Sequence, residues 1–314
     1  MFRLAHISDV HLGPLPDVSY RELASKRIVG YVNWQKNRRR LLHDGVVDSI
    51  LADIQAAAPD HLAITGDLVN LALDAELEFA RIWLETLGDP RNVSVVPGNH
   101  DAYVPGAFGK CCLAWRPWMV GDGQNAPVSR ETFPYLRVRG NVALIGITSA
   151  RASAPFMATG YFKEGQAQRL RLLLEETKKR GLFRLLMIHH PPVRAAVPQH
   201  KRLLGIRRFQ RLVKQCGAEL VLHGHSHLPS LFHIEGEKRS AVPVVGVSAT
   251  GQGVGGTKPP AQWNLLQING EPGAWSIHLT RRGLTGPATQ PHELQKVDLS
   301  ALRPRAVERA GAEP

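Results

Sequence analysis

The sequence runs to 314 residues, with 39 Lys and Arg against 27 Asp and Glu and a formal net charge of +12 at pH 7. A chain of this length buries enough surface to fold without a disulfide or metal staple, and a 43% hydrophobic share excludes bulk disorder. Three cysteines are too few for a disulfide framework, the start carries no secretory signal, and no window approaches the roughly 18 apolar residues of a membrane span, so a cytoplasmic protein is expected whose positive charge meets nucleic acid, an acidic membrane surface or small anions.

In chain order, Arg3–Ser8 reads as a strand. Asp44–Ala57 follows as a helix, with Val46, Val47, Ile50, Leu51 and Ile54 on one face. Leu62–Thr65 is a second strand, Asp74–Leu87 a helix with Asp74 as its N-cap, and Val93–Val96 a third strand. Ala102–Glu131 reads as a long insertion, a substrate wall. Tyr135–Val138 and Val142–Thr148 form a hairpin around Gly140-Asn141. Helices at Gly165–Lys179 and Phe209–Cys216 alternate with strands at Phe183–Ile188 and Glu219–Leu222. Beyond residue 230 the pattern is strands only, at Leu231–Ile234, Val242–Val247, Leu265–Ile268 and Trp275–Leu279. A βα-alternating body followed by antiparallel strands predicts one α/β domain of two stacked sheets flanked by helices, over residues 1–285, with a flexible C-terminal tail at 286–314.

The chemistry lies at the strand ends. They carry Asp9-Val-His11, Gly66-Asp67, Gly98-Asn99-His100-Asp101, His189-His190-Pro191-Pro192 and His223-Gly224-His225-Ser226-His227. In open α/β sheets the carboxyl ends of strands line one crevice, so residues distant in sequence converge there. Imidazoles mixed with carboxylates favour borderline divalent cations over calcium, which prefers an all-oxygen shell. A lone Asp or His at a strand end is ordinarily a cap or a turn residue; the ordered set of five is not ordinary.

That ordered set, spanning residues 9 to 227, resembles the calcineurin-like metallophosphoesterase superfamily, in its bacterial-type phosphodiesterase and phosphohydrolase branch. The resemblance implies a four-layer αββα sandwich of two mixed β-sheets and a site for two divalent metal ions (Mn²⁺, Fe²⁺/Fe³⁺ or Zn²⁺). Carried over residue by residue, it implies Asp9, His11 and His227 on the first metal, Asn99, His189 and His225 on the second, and Asp67 bridging. His190 is expected behind these ligands. His100 is expected as the catalytic acid or phosphate contact, with Asp101 supporting its loop, and hydroxide held by the metals attacks the phosphoester. The protein Ser/Thr phosphatases extend Gly-Asp with a further Asp-Arg-Gly; here Leu68, Val69 and Asn70 follow Asp67, which puts neutral Asn70 where a charged partner for His100 would stand and disfavours that activity.

The expected activity is hydrolysis of a small or lipid-linked anionic phosphodiester. A cyclic nucleotide, and a lipid headgroup or nucleotide-linked lipid pyrophosphate, are the other substrates weighed; a metal-free binding scaffold is the reading from another class. No separate nucleic-acid-binding module is found, so nucleic acid is not an expected partner. The oligomeric state is not legible. Tyr20–Leu42 reads as a basic amphipathic cover helix, with Tyr20, Ala24, Ile28, Tyr31 and Trp34 at helical spacing, and its Arg38, Arg39 and Arg40 are expected on the substrate rim, with peripheral membrane contact an open alternative. His6 is expected as a structural partner, and His43, His61, His200 and His233 as ordinary residues. The charge is concentrated: residues 21–40 carry net +6 and residues 178–211 net +10. Both blocks flank ligand loops and are expected to border the metal site.

Overall fold

The computed structural model describes residues 1–23, 25–35, 45–286 and 290–300. The chain runs through β1 (Phe2–Ile7), α1 (Tyr20–Leu23), α2 (Arg27–Asn33), α3 (Val46–Ala57), β2 (His61–Ile64), α4 (Asp74–Thr86), β3 (Val93–Val95), α5 (Ala107–Ala114) and α6 (Arg116–Met119). It continues through β4 (Tyr135–Arg139), β5 (Val142–Ile147), β6 (Gly160–Tyr161), α7 (Glu164–Lys179), β7 (Phe183–Ile188), β8 (Leu203–Leu204), α8 (Ile206–Cys216) and β9 (Leu220–His223). The last strands are β10 (Leu231–Glu235), β11 (Ala241–Gly246), β12 (Gln262–Asn269), β13 (Ser276–Gly283) and β14 (His292–Asp298).

Two six-stranded mixed sheets are flanked by helices, with strand orders β14-β13-β12-β1-β2-β3 and β10-β11-β9-β7-β5-β4. This is the expected αββα architecture. Each sheet contains a parallel run, β1-β2-β3 in one and β5-β7-β9-β11 in the other. Strands β5 and β7 are buried at every residue, which is why they read as unbroken apolar runs rather than alternating ones. Among the described residues, no helix is long and apolar enough to cross a membrane.

Three expectations are corrected. Residues 102–131 are not a bare wall, for α5 and α6 lie within them. Phe108, Cys111, Cys112 and Trp115 have helical spacing and face the core, and Trp115 Nε1 donates to the Leu77 carbonyl at 3.0 Å. Asp74 does not cap α4: Leu73 is the N-cap, and Glu76 accepts from the backbone N–H groups of Asn70, Leu71 and Leu73. Asp74 pairs instead with Lys110. Finally, the sheet runs beyond residue 285, because His292–Asp298 pairs antiparallel with β13 as an edge strand. Its polar composition suits an edge that faces water, and that composition is why it reads as tail.

The basic segment after β1 is two short helices, α1 and α2, rather than one. Trp34 is buried and Tyr31 packs on the core, while Ile28 is exposed. Ala24 and residues 36–44, with Arg38, Arg39, Arg40 and His43 among them, lie outside the described residues, as does the 301–314 part of the expected tail.

Candidate metal centre

The carboxyl ends of the parallel strands in the two sheets bring all seven expected ligands together. The donor atoms of Asp9, His11 and His227 lie within 4.8 Å of one another, as do those of Asp9, Asp67 and His189 and those of His189, His190 and His225. Asn99 joins through Oδ1, 3.3 Å from His189 Nε2. The sheets are tied at this point: His189 Nδ1 donates to the Thr65 carbonyl at 2.6 Å, and the His225 N–H donates to Asp9 Oδ2 at 2.9 Å.

The backbone is bent to make this cluster. Asp9, His11, Asp67, His225 and His227 all have positive φ, between 48° and 67°. A left-handed backbone in a residue other than glycine costs about 1–2 kcal/mol, and such strain gathers at functional sites. Five of the seven residues therefore hold a conformation that side chains rarely adopt. Close approach adds to this: a Cβ on Gly98 would strike the Asp67 carboxylate, and one on Gly224 would strike Ser8 and Asp9.

The donor set fits cations. With Nδ1 of His189 donating to Thr65, a neutral ring presents Nε2 as an acceptor, yet it faces the acceptors Asp67 Oδ2 and Asn99 Oδ1, each at 3.3 Å. His11 repeats the pattern: Nδ1 donates to the Val69 carbonyl at 3.1 Å, and Nε2 faces Asp9 Oδ1 at 4.0 Å. That oxygen is buried, with His227 Nε2 3.1 Å away. Carbonyl groups orienting ligand imidazoles are the usual supporting shell of a metal site.

The electrostatics agree. Burial pushes the Asp9 carboxyl up, but His227 and His189 outweigh it and hold the group well below the usual carboxylate range. Burial likewise opposes ionisation of Asp67, and His189 and His100 prevail. For His189, burial lowers the pKa, yet Asp67 and Asp9 push it up to about 9. The negative potential that raises this pKa is one that divalent cations would relieve.

Three neighbours take distinct places. His190 has both ring nitrogens engaged, Nδ1 with Ser149 Oγ at 2.8 Å and Nε2 with the Ala158 carbonyl at 3.2 Å. His100 Nδ1 donates to the backbone carbonyl of Asn70 at 2.6 Å, and its ring stacks on Tyr103 with centroids 5.3 Å apart. The Asn70 amide is turned away, donating to the Leu12 carbonyl. A main-chain oxygen thus orients His100 where the protein Ser/Thr phosphatase pattern would put a carboxylate. Asp101 is buried and accepts from the N–H groups of Gly98, Asp67, Leu68 and Val69 at 2.8–3.2 Å. Both its oxygens are spent on the loops that carry Asp67 and Asn99.

Beside His100 and Asn99 lies a cavity of about 460 Å³ lined by Lys26, Val32, Trp34, Tyr103, Phe156 and Lys201, among others. Sequence reasoning covered Tyr103 only as part of the expected 102–131 wall and Lys201 only as part of the basic 178–211 block, and it missed Phe156. Nothing in local pattern marks Phe156, although it is 79% exposed on a positive-φ turn. His200, read as ordinary, also lines this cavity. His6 and His61 are buried and bonded to Thr65 and Ser94, as structural residues should be. Of the basic side chains in residues 178–211, the cavity beside His100 takes Lys201, whereas Arg194, Arg202, Arg207, Arg208 and Arg211 line a separate groove.

Comparison with known proteins follows the same line. A family model described as calcineurin-like phosphoesterase matches residues 2–229. A protein of Synechococcus sp. described as a probable cyclic nucleotide phosphodiesterase is 26% identical over 239 residues, 72% of this chain and 78% of the relative. Among solved structures, a dimetal phosphatase from Danio rerio superposes with a TM-score of 0.60 at 12% identity, covering 95% of this chain and 98% of its own. A 5'-nucleotidase precursor from Thermus thermophilus superposes at 0.50 with 16% identity over 92% of this chain and 55% of the nucleotidase. At these identities the two structures speak to the fold.

Proposed function

The chain belongs to the calcineurin-like phosphoesterase family and is a metal-dependent phosphoester hydrolase, and on that premise we propose that it is a two-metal phosphodiesterase for a phosphodiester carrying an apolar or lipid-linked organic group. Asp9, His11 and His227 would hold one cation and Asn99, His189 and His225 the other, with Asp67 between them. The donor set suits Mn²⁺, Fe²⁺/Fe³⁺ or Zn²⁺. Bound there, the cations would supply charge stabilisation at the phosphate and a water of lowered pKa.

The chain's own groups supply the rest. His100, with Nδ1 fixed on the Asn70 carbonyl, has Nε2 as the nitrogen that delivers a proton to the departing oxygen. Tyr103 holds the plane of that ring by stacking, and Lys26 Nζ sits 4.7 Å over the face of Tyr103. Lys201 adds positive charge to the cavity wall. Asp101 is a positioning residue.

The observation that carries this reading is the cavity beside His100. Its lip is apolar and exposed: Val32 is 45% and Phe156 79% exposed, and Met157 adjoins them. Such a mouth suits an organic substituent better than a free monoester. A cyclic nucleotide is the second reading, favoured by the description of the Synechococcus relative and by exposed Phe156 as a stacking surface.

A Mn²⁺-supplemented panel of monoesters, linear diesters, cyclic nucleotides and lipid pyrophosphates tests the proposal. The highest kcat/KM is expected for a diester with an apolar arm; a tenfold preference for monoesters would overturn it. Phe156→Ala is expected to raise KM for that diester about tenfold, the loss of one aromatic contact of ~1.4 kcal/mol. kcat, and both constants for a methyl-substituted diester, should stay within about twofold. Equal losses on both diesters would remove Phe156 from substrate contact.

A further inference from the structure

Outside the metal centre, a groove of about 940 Å³ runs between α7, α8 and the strip of chain around residues 199–205. Six arginines line it, Arg171, Arg194, Arg202, Arg207, Arg208 and Arg211, against one acid, Glu164. Glu164 is spent on Arg208, at 2.6 Å from Nε. Arg171 donates to the neutral Gln215 amide and Arg202 to the Val197 carbonyl, so both keep their charge uncompensated. Among the described residues no acid pairs with Arg194, Arg207 or Arg211.

Part of this pattern follows from α8 being amphipathic. Ile206, Phe209, Leu212, Val213 and Cys216 are buried, which turns Arg207 and Arg211 outward. A convex, solvated face would need no more explanation. Here the six arginines instead line one concavity of small-ligand size, with a single acid beside them. Arginine rather than lysine supplies all six, and its planar fork matches phosphate oxygens two at a time. Among the described residues no Phe, Tyr, Trp or His lines the groove, which leaves it without a platform for stacking the bases of a single strand.

We propose that the α7–α8 groove is a second phosphate-recognition site, separate from the metal centre, for a ligand presenting two or more closely spaced phosphate groups. The ligand is bound there and not cleaved. Such phosphates could be free or borne on a lipid headgroup.

The test uses the metal-loaded full chain. Calorimetric titration with tripolyphosphate is expected to show two binding events, one at the metal centre and one at the groove, the second weakening with added NaCl. Arg207→Ala/Arg211→Ala, at two exposed positions, should weaken the second event by about tenfold or more, keep the first, and leave hydrolysis of a chromogenic diester within about twofold. The charge-matched pair Lys179→Ala/Arg239→Ala should leave both events intact. Sedimentation with cardiolipin vesicles identifies the source: loss of vesicle binding in the arginine variant assigns a headgroup, and tripolyphosphate binding without vesicle binding assigns a free ligand. A single event in the unaltered protein, or equal weakening in both variants, overturns the proposal. So does tighter binding of a single-stranded oligonucleotide than of tripolyphosphate through the same arginines, which would make the groove a nucleic-acid surface.

Discussion

Asp67→Asn is expected to lower kcat for a diester by about a thousandfold, ~4 kcal/mol of transition-state stabilisation, while the protein stays folded. Asp67 stands where the clusters meet: Oδ2 is 3.3 Å from His189 Nε2, and Oδ1 accepts the His100 N–H at 2.7 Å. Asparagine keeps the shape and one accepting oxygen, so the link to the His100 backbone can survive. What goes is the charge that would be shared between two cations and that pushes the His189 pKa up. Removing one partner of a buried, mutually compensated charge set is far more damaging than its surface equivalent. The measurement is kcat on a chromogenic diester, with metal content by mass spectrometry and a thermal melt on the same sample. A fall in bound metal from two ions per chain towards one, together with the lost turnover, supports the bridging position. Near-normal turnover would overturn the ligand assignment, and a collapsed melt would mean that Asp67 acts chiefly on the fold.

The legibility of this site has a physical basis. Metal ligands at strand ends are bracketed by glycine and proline and preceded by apolar runs, so both the elements and their chemistry show in sequence. Every expected ligand is found in the cluster because parallel strands deliver their carboxyl ends to one place whatever the loops between them do. The cavity wall is different. Lys26, Tyr103, Phe156 and Lys201 come from four segments remote in sequence, and only tertiary packing brings them together. The substitution of the Asn70 carbonyl for a carboxylate is invisible for a related reason, since every residue carries a carbonyl and sequence does not say where it points. Charge density misleads because a basic block has two sides: around residues 199–202, His200 and Lys201 meet the cavity beside His100 while Gln199 and Arg202 line the arginine groove. The helical spacing of Phe108, Cys111, Cys112 and Trp115 is present in the sequence, but neighbouring Gly and Pro residues obscure it.

Asp101→Asn separates a positioning role from a chemical one. Burial and the neighbouring Asp67 push the Asp101 carboxyl up, to about 7, against the pull of the backbone N–H groups that it accepts. A value near neutrality would by itself invite assignment as a general acid. Geometry opposes that: both oxygens face inward on Gly98, Asp67, Leu68 and Val69, and the side chain is fully buried. The amide of asparagine can satisfy one side of this arrangement but turns its own N–H groups on the other. At least one buried backbone donor is then left unpaired, at about 1–3 kcal/mol each. The loops carrying Asp67, Asn99 and His100 should loosen together, and misplacement of that size typically lowers turnover by about a hundredfold. Expected, therefore, are a lower melting temperature and a kcat reduced about a hundredfold, with an unchanged shape of the pH–rate profile. If Asp101 exchanges a proton with substrate, one limb of that profile disappears in the variant while the melting temperature stays put. That outcome would move Asp101 from the scaffold of the loop into the reaction itself.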